Sequence, residues 1–498
     1  MENLIFGIVA VILCTSGYLL SWKYQRTGNF QMAILLLVLC GAILRIYISS
    51  DLVLHQWDER FHALVARNLM AHPFRPTLYD NPVLPYNYQN WAGNHIWLHK
   101  QPVPLWAMAA SMRIFGVNEI ALRIPSILLS STGIWLTWSI GCYFFNRKIG
   151  FLAAFLYSIN GLILELTGGR VATDHIDIFF LFFIQLAIWL STRFVQNKST
   201  INNVFVGIAL GAAILTKWLT ALIVLPVWFL IVTASGEFKI RTVIFQLLLV
   251  TGSCVAVFLP WQLYIFHKFP LEAVWESSNN LRHLTEVIEE RTGSIWYFFN
   301  RIRINYGELI YLPLLWFLWK TVRNLKDYKR LAITTWILLP FIFFSLARTK
   351  MQAYLIISSP ALFLMTAEFY YMLFEQQMKK KLRWLYVLVM ALLLVLPVRY
   401  SIERLKAFEQ TERNPQWTRE LKELGQEEIE KGVLFNYPNY IEAMFYTGIP
   451  VYNHIPDRSV LTELLERGHS ILINDKGDTP PEIASMDGIL LVRLSEKE

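Results

Sequence analysis

The sequence predicts a polytopic α-helical membrane protein, with about twelve spans and a small C-terminal α/β domain outside the membrane. Three observations lead there. The 498 residues are 55% hydrophobic and only 16% charged, which excludes an ordinary soluble protein of this length. The apolar runs are as long as a bilayer is thick, roughly 20 residues each. After about residue 400 the pattern changes to short alternating strand-like and helix-like segments.

Spans are expected near 3–21, 31–50, 118–144, 149–166, 176–195, 203–217, 219–235, 242–264, 306–320, 331–347, 353–373 and 384–400. The connections after every odd-numbered span are basic. They carry Lys23 and Arg26, Arg147 and Lys148, Arg193 and Lys198, Lys239 and Arg241, and then the runs KTVRNLKDYKR and KKKLR. Cytoplasmic loops are enriched in Lys and Arg. The N-terminus, the loops 51–117 and 265–305 and the tail are therefore expected outside. The first run has no basic segment before it and reads as a span, not a cleaved leader.

The net charge of +8 lies largely in those inner connections, which argues against nucleic acid as a partner. Cys14, Cys40, Cys142 and Cys254 all fall inside apolar runs, with neither ligand spacing nor a disulfide framework. Two domains are expected, 1–400 in the membrane and 401–498 outside. In the tail, GVLFNY, IPVYN, SILIN and GILLVRL read as strands. PQWTRELKELGQEEIEKG and RSVLTELLERG read as helices, each ending at a glycine.

Polar groups gather at the outer membrane face. Asp58 and Glu59 start an interfacial helix with apolar residues at 61, 64, 65 and 69. Acids there either cap the helix or do chemistry. Asp174 and Asp177 are three apart, so they share a face once the next span is helical. Arg170, Lys217, Arg348 and Lys350 stand on the outside, against the positive-inside rule; they either snorkel to headgroups or bind an anion. Lys100 precedes two prolines that stiffen its turn. Tyr79, Tyr86, Tyr88, Trp91 and Trp97 form an interfacial aromatic belt, with sugar stacking open for one or two. His55, His62, His95, His99 and His175 lack tight metal spacing. No phosphate-binding loop, dinucleotide fingerprint or nucleophile elbow occurs. No cofactor is expected, and a divalent metal stays open.

Seven segments in order, on the outer side of this topology, carry a resemblance to a known family. They are WDE…ARNL, HKQPVPLW, NEIALRIPSILLS, RVATDHIDIFFLFF, GAAILTKW, FLPWQLYI and FFSLARTKMQAYLIISSPAL. The chain resembles the GT-C superfamily of polyprenyl-phosphate-sugar-dependent glycosyltransferases over roughly residues 31–400. The nearest branch is the protein O-mannosyltransferase and lipid A aminoarabinose transferase group. It departs from that pattern by an extra first span, by Phe61 where the aminoarabinose transferases carry Arg, by Trp218 in place of the glycine after the conserved-type lysine, by the KQPVP proline spacing, and by the second acid and histidine in TDHID.

The resemblance implies transfer of a sugar from a polyprenyl-phosphate donor to an acceptor hydroxyl at the extracytoplasmic face. It implies Asp58 as the base, Glu59 placing Asp58 or the acceptor, and Asp174 orienting the sugar or supporting the arginines. Lys100, Lys217, Arg348 and Lys350 would meet the donor phosphate. Arg60, His62, Arg170 and Asp177 are further contacts for sugar or acceptor. The acceptor would be a lipid, glycan or protein, and the setting a bacterial inner membrane with the site on the periplasmic side. A lipid or sugar carrier or flippase is the alternative that the spans alone support. Carriers, however, place ionisable groups at the midplane and often show repeated halves; here the acids gather at one face. A receptor or scaffold using the tail is a further alternative, one that would not need Asp58.

Overall fold

The computed structural model describes residues 2–377, 383–427 and 429–497. The basic run KKKLR lies, except for Arg383, outside the described residues. Among the described residues nine helices are long and apolar enough to cross a membrane: Asn3–Arg26, Phe30–Ile48, Glu119–Phe144, Asp174–Asn197, Thr200–Ser235, Ile240–Lys268, Tyr328–Leu346, Gln352–Gln376 and Arg383–Leu405. A tenth is the pair Arg147–Ser158 and Gly161–Thr167, bent by 53°. The chain is a multi-pass membrane protein.

The twelve expected runs map onto these helices in a definite way. The runs 203–217 and 219–235 are two legs of the Thr200–Ser235 segment: the chain folds back at the 3₁₀ stretch Trp218–Ile223, so that Trp228 Nε1 donates to Asn203 at 2.9 Å and Lys198 meets Glu237 at 2.6 Å. The run near 306–320 becomes the 13-residue helix Tyr311–Arg323, because Gly307 at φ +95 breaks the chain before it.

Two compact units are present. The first comprises residues up to Ser49, Lys100–Pro104 and Pro125–Thr411; the second Ser50–His99, Leu105–Ile124 and the chain from Glu412. The stretch 50–99 thus shares a unit with the tail.

In the first unit, Trp228, Trp336, Phe151, Phe180 and Phe194 are fully buried in one continuous core. Gly207 and Gly211 let two helices meet closely: a Cβ on Gly207 would collide with the Val250 carbonyl, and one on Gly211 with Val257. Small residues four apart are a recurrent device for packing helices in lipid. The 53° break is also satisfied internally, as a bilayer requires. Asn160 accepts from the Ile163 N–H at 3.1 Å, while buried Arg45 donates to the Ser158 carbonyl at 3.1 Å.

In the second unit the tail forms a parallel three-stranded sheet in the order β1 (Gly432–Phe435), β2 (Ser470–Asn474), β3 (Ile489–Val492). The expected strand IPVYN contributes a single parallel bridge, Leu434 to Val451. Pro450 has no N–H to extend a ladder. The expected helices are Gln416–Leu424 and Arg458–Glu466, the second closed by Gly468 at φ +78.

Candidate functional site

The Asp58–Leu69 helix begins abruptly. Trp57 sits at φ 74, ψ −134, and Asp58, half-buried, is the first helical residue. Glu59 is fully buried. Its carboxylate accepts from Arg123 Nε at 2.7 Å and Nη2 at 3.0 Å, and from the His55 backbone N–H at 2.6 Å. Arg123 also donates to the carbonyls of Val53, at 2.7 Å, and Asp51. The His55 ring bridges Glu59, at 2.8 Å, and Asp51, at 3.0 Å. Asp51 in turn pairs with Arg413 of the tail at 3.0 Å. A two-pronged arginine–carboxylate contact fixes orientation as well as distance. The chain 51–59 is therefore held at several points, with Asp58 as the first residue of the helix that leaves this clamp.

The same helix lies against the tail. Arg60 Nη1 is 3.4 Å from the buried carboxylate of Glu442, and its guanidinium stacks 5.1 Å from the Phe61 ring. Arg67 donates to the carbonyls of Met444, at 3.1 Å, and Phe445. Gly448, at φ +80, leaves room for it, since a Cβ there would run into the guanidinium. His62 is fully buried, 6.0 Å from the Trp97 ring. A second tie joins Glu119 to Tyr446, at 2.8 Å, and to Lys422, at 2.8 Å; the Tyr446 hydroxyl also accepts from the Leu54 N–H. Burial first, then Glu119, pushes the Tyr446 hydroxyl well above its ordinary pKa.

The other expected residues belong to the first unit. Thr173 and Asp174 have φ of +69 and +25, a strained entry to the Asp174–Asn197 helix. Asp174 and Asp177 are both buried. Asp177 receives Lys217 on one oxygen and the Thr173 hydroxyl on the other. The charge of Lys100 also acts on Asp177. Lys217 Nζ lies 4.9 Å over the Tyr354 ring. His175 meets the Ser126 hydroxyl at 2.9 Å.

Lys350 and Arg348 sit in a turn pinned to the loop 283–291. Arg348, Thr349 and Lys350 donate their backbone N–H groups to Leu284, His283 and Arg291. The buried Lys350 ammonium contacts the carbonyls of Phe344, Ser345 and Ala347 at 3.3, 2.8 and 2.6 Å. It closes the C-terminal end of the Tyr328–Leu346 helix. Arg348 is exposed. Arg170 reaches the Leu405 carbonyl at 3.5 Å. Among the described residues no group of three or more His, Cys, Asp or Glu is placed to hold a metal ion.

Sequence reading names Asp177, Lys217 and Lys100 as separate candidates, which the structure brings into one charged group, yet passes over Arg123, Glu119, Arg413 and Glu442. Arg123 and Glu119 stand inside NEIALRIPSILLS, so the motif itself held the signal. The tail residues offered none, since their partners lie hundreds of positions away.

The fold with these features is that of the GT-C glycosyltransferases. Residues 99–264 match the model of the family described as dolichyl-phosphate-mannose-protein mannosyltransferase. The undecaprenyl phosphate-α-4-amino-4-deoxy-L-arabinose arabinosyl transferase 1 of Pseudomonas fluorescens is 24% identical over 290 residues, 53% of this chain and 48% of that one. The corresponding transferase of Yersinia enterocolitica is 24% identical over 337 residues, 64% of this chain and 56% of its own. The chain thus spans about half the length of these curated relatives. Among solved structures, ArnT from Cupriavidus metallidurans bound to undecaprenyl phosphate superposes with a TM-score of 0.62 at 15% identity, covering 86% of this chain and 90% of that one. The Archaeoglobus fulgidus oligosaccharyltransferase superposes at 0.56 and 13% identity, covering 85% and 64%.

Proposed function

We propose that this chain is an integral-membrane glycosyltransferase that moves a sugar from a polyprenyl-phosphate donor to an acceptor hydroxyl at the extracytoplasmic face. The observation that carries the reading is the clamp: Arg123 and His55 hold Glu59, and so fix where Asp58 starts its helix. The fold, and the undecaprenyl phosphate bound to the C. metallidurans protein, support a prenyl-phosphate donor.

In this reading Asp58 takes the proton of the acceptor hydroxyl as its oxygen bonds to the sugar's anomeric carbon. The carbon–oxygen bond to the lipid phosphate breaks, and its electron pair leaves with the phosphate. A positioned base contributes about 10²–10⁴-fold, and cations aimed at the departing charge contribute alongside it. Lys217, Lys100 and Arg348 serve that phosphate, and Lys350 sets the turn that carries Arg348. Asp174 and Asp177 place Lys217 and the sugar. Glu59 acts through Asp58. Arg60 and His62 shape the acceptor side together with the tail from 401, and Arg170 contacts the sugar or lipid. The basic inner connections favour a bacterial inner membrane with the site facing the periplasm.

The test is donor turnover by purified protein in nanodiscs. A panel of radiolabelled polyprenyl-phosphate hexoses and pentoses is offered with crude membrane acceptors to wild type and Asp58→Asn. One donor consumed by wild type and spared by the variant supports the reading. Equal consumption by both removes Asp58 from the chemistry.

A further inference from the structure

The second unit contains a cavity that the transfer reaction does not use. Its volume is about 390 Å³, within the range of roughly 300–1,000 Å³ common for small-molecule sites. One wall is the outer-loop stretch from Arg75 to Val83 with His95. The other is the end of the Arg458–Glu466 helix, where Leu464 is followed by Arg467 and His469.

The polar chemistry of the walls is one-sided. His95 Nδ1 lies 2.6 Å from the Tyr79 carbonyl oxygen, which can only accept, so Nδ1 carries the proton. That leaves His95 Nε2 as the acceptor for Arg75 Nη2 at 2.7 Å. Arg75 is thus seated by a neutral imidazole, and among the described residues no carboxylate lies within ion-pair distance of it. Arg75 is exposed, and its other N–H donors remain for a ligand. Arg467 adds a second cation, itself paired with Glu463 along its own helix. Asp80 is the one acid among the described lining residues, and it accepts from the Thr77 hydroxyl at 3.2 Å.

We infer that this cavity binds an oxyanion, a phosphate or carboxylate group, with Arg75 as the principal contact and Arg467 as the second. A planar guanidinium held from behind by an imidazole presents its fork to two oxygens at once. The inference is independent of the transfer reading, since it concerns binding in the second unit whatever the chain catalyses.

The experiment uses the full chain in nanodiscs of uncharged lipid. Inorganic phosphate, acetate and glucose 1-phosphate are titrated against chloride at matched ionic strength, and the thermal unfolding midpoint is followed. Saturable stabilisation by an oxyanion is expected in wild type and in Lys217→Gln, whose change lies at the proposed donor phosphate. Arg75→Gln weakens it about tenfold or more, the usual cost of a lost charge-assisted hydrogen bond. Arg467→Gln weakens it less, and gives the same reading should Arg75→Gln fold poorly. Tighter binding of glucose 1-phosphate than of phosphate identifies a sugar-borne group as the source of the oxyanion, and equal affinities identify a free anion. No saturable effect in wild type, the same affinity in both arginine variants, or loss of binding only in Lys217→Gln overturns the site altogether.

Discussion

Arg123 grips both carboxylate oxygens of Glu59, at 2.7 and 3.0 Å, with neither side chain exposed to solvent. The pair sets buried Glu59 apart from its half-buried neighbour Asp58, which stands outside it. Breaking a buried pair from one side strands the other charge and costs about 3–5 kcal/mol. Glu59→Ala is therefore expected to lower the thermal unfolding midpoint sharply and to lose activity with it. Asp58→Asn, at a half-buried position outside the pair, is expected to lose about 10²–10⁴-fold in kcat with its unfolding midpoint almost unchanged. Melting curves and turnover on the same preparations separate the two. If Asp58→Asn melts as early as Glu59→Ala, Asp58 is structural.

Trp218 occupies φ 62, ψ −161, a backbone region that only glycine enters without strain. The resemblance already marked this position as a glycine in relatives, and the backbone keeps the shape that glycine would choose. Trp218→Ala and Trp218→Gly both lose the half-buried indole, so comparing them isolates the backbone. At an ordinary helical position glycine is the less stable by about 0.5–1 kcal/mol. Here the order is expected to invert, with Trp218→Gly more stable than Trp218→Ala by about 1–3 kcal/mol. Chemical unfolding of the two variants decides it.

Legibility followed the range of each interaction. Apolar runs and their flanking charges located the helices because hydropathy is local, and the 401–498 strands alternated plainly with helices. The runs at 203–217 and 219–235 read as separate spans, and the chain does fold back between them at Trp218–Ile223, bringing Asn203 to Trp228 at 2.9 Å. The acids at 58 and 59 were visible as a pair, but their different roles were not. Glu59 meets Arg123 across 64 residues, and Arg60 meets Glu442 across 382. No periodicity records such pairings. Its outer position and the resemblance mark Lys350 as a phosphate ligand; its three carbonyl contacts depend on how the Tyr328–Leu346 helix ends and carry no sequence signal.

The tail is predicted to matter through the helix that carries Asp58. Arg67 is tied to the Met444 and Phe445 carbonyls, and burial holds its guanidinium below the ordinary arginine pKa. Arg67→Ala leaves two buried carbonyls without this donor, at about 1–3 kcal/mol, and frees the C-terminal half of the Asp58–Leu69 helix from the tail. The expected outcome is a lower kcat with unchanged affinity for the donor lipid. Lost donor affinity, with kcat intact, would place the tail's role elsewhere.

Lys350 supplies a pH test. Burial first, and then the neighbouring Arg348, holds its ammonium below the ordinary lysine value of 10.5. A lysine whose folded pKa is depressed binds fewer protons folded than unfolded between the two values, so stability rises with pH across that window. Below the folded pKa the buried charge is a constant penalty, partly offset by its three carbonyl contacts. Lys350→Met removes the titrating group and leaves the other ionisable residues in place. The stability of wild type relative to Lys350→Met is therefore expected to increase as pH rises from the depressed value towards 10.5, by at most about 1.4 kcal/mol per pH unit. Denaturant unfolding of both proteins at closely spaced alkaline pH values measures it. A flat difference means the ammonium titrates as an exposed lysine does, and a falling one means the carbonyl contacts outweigh its burial.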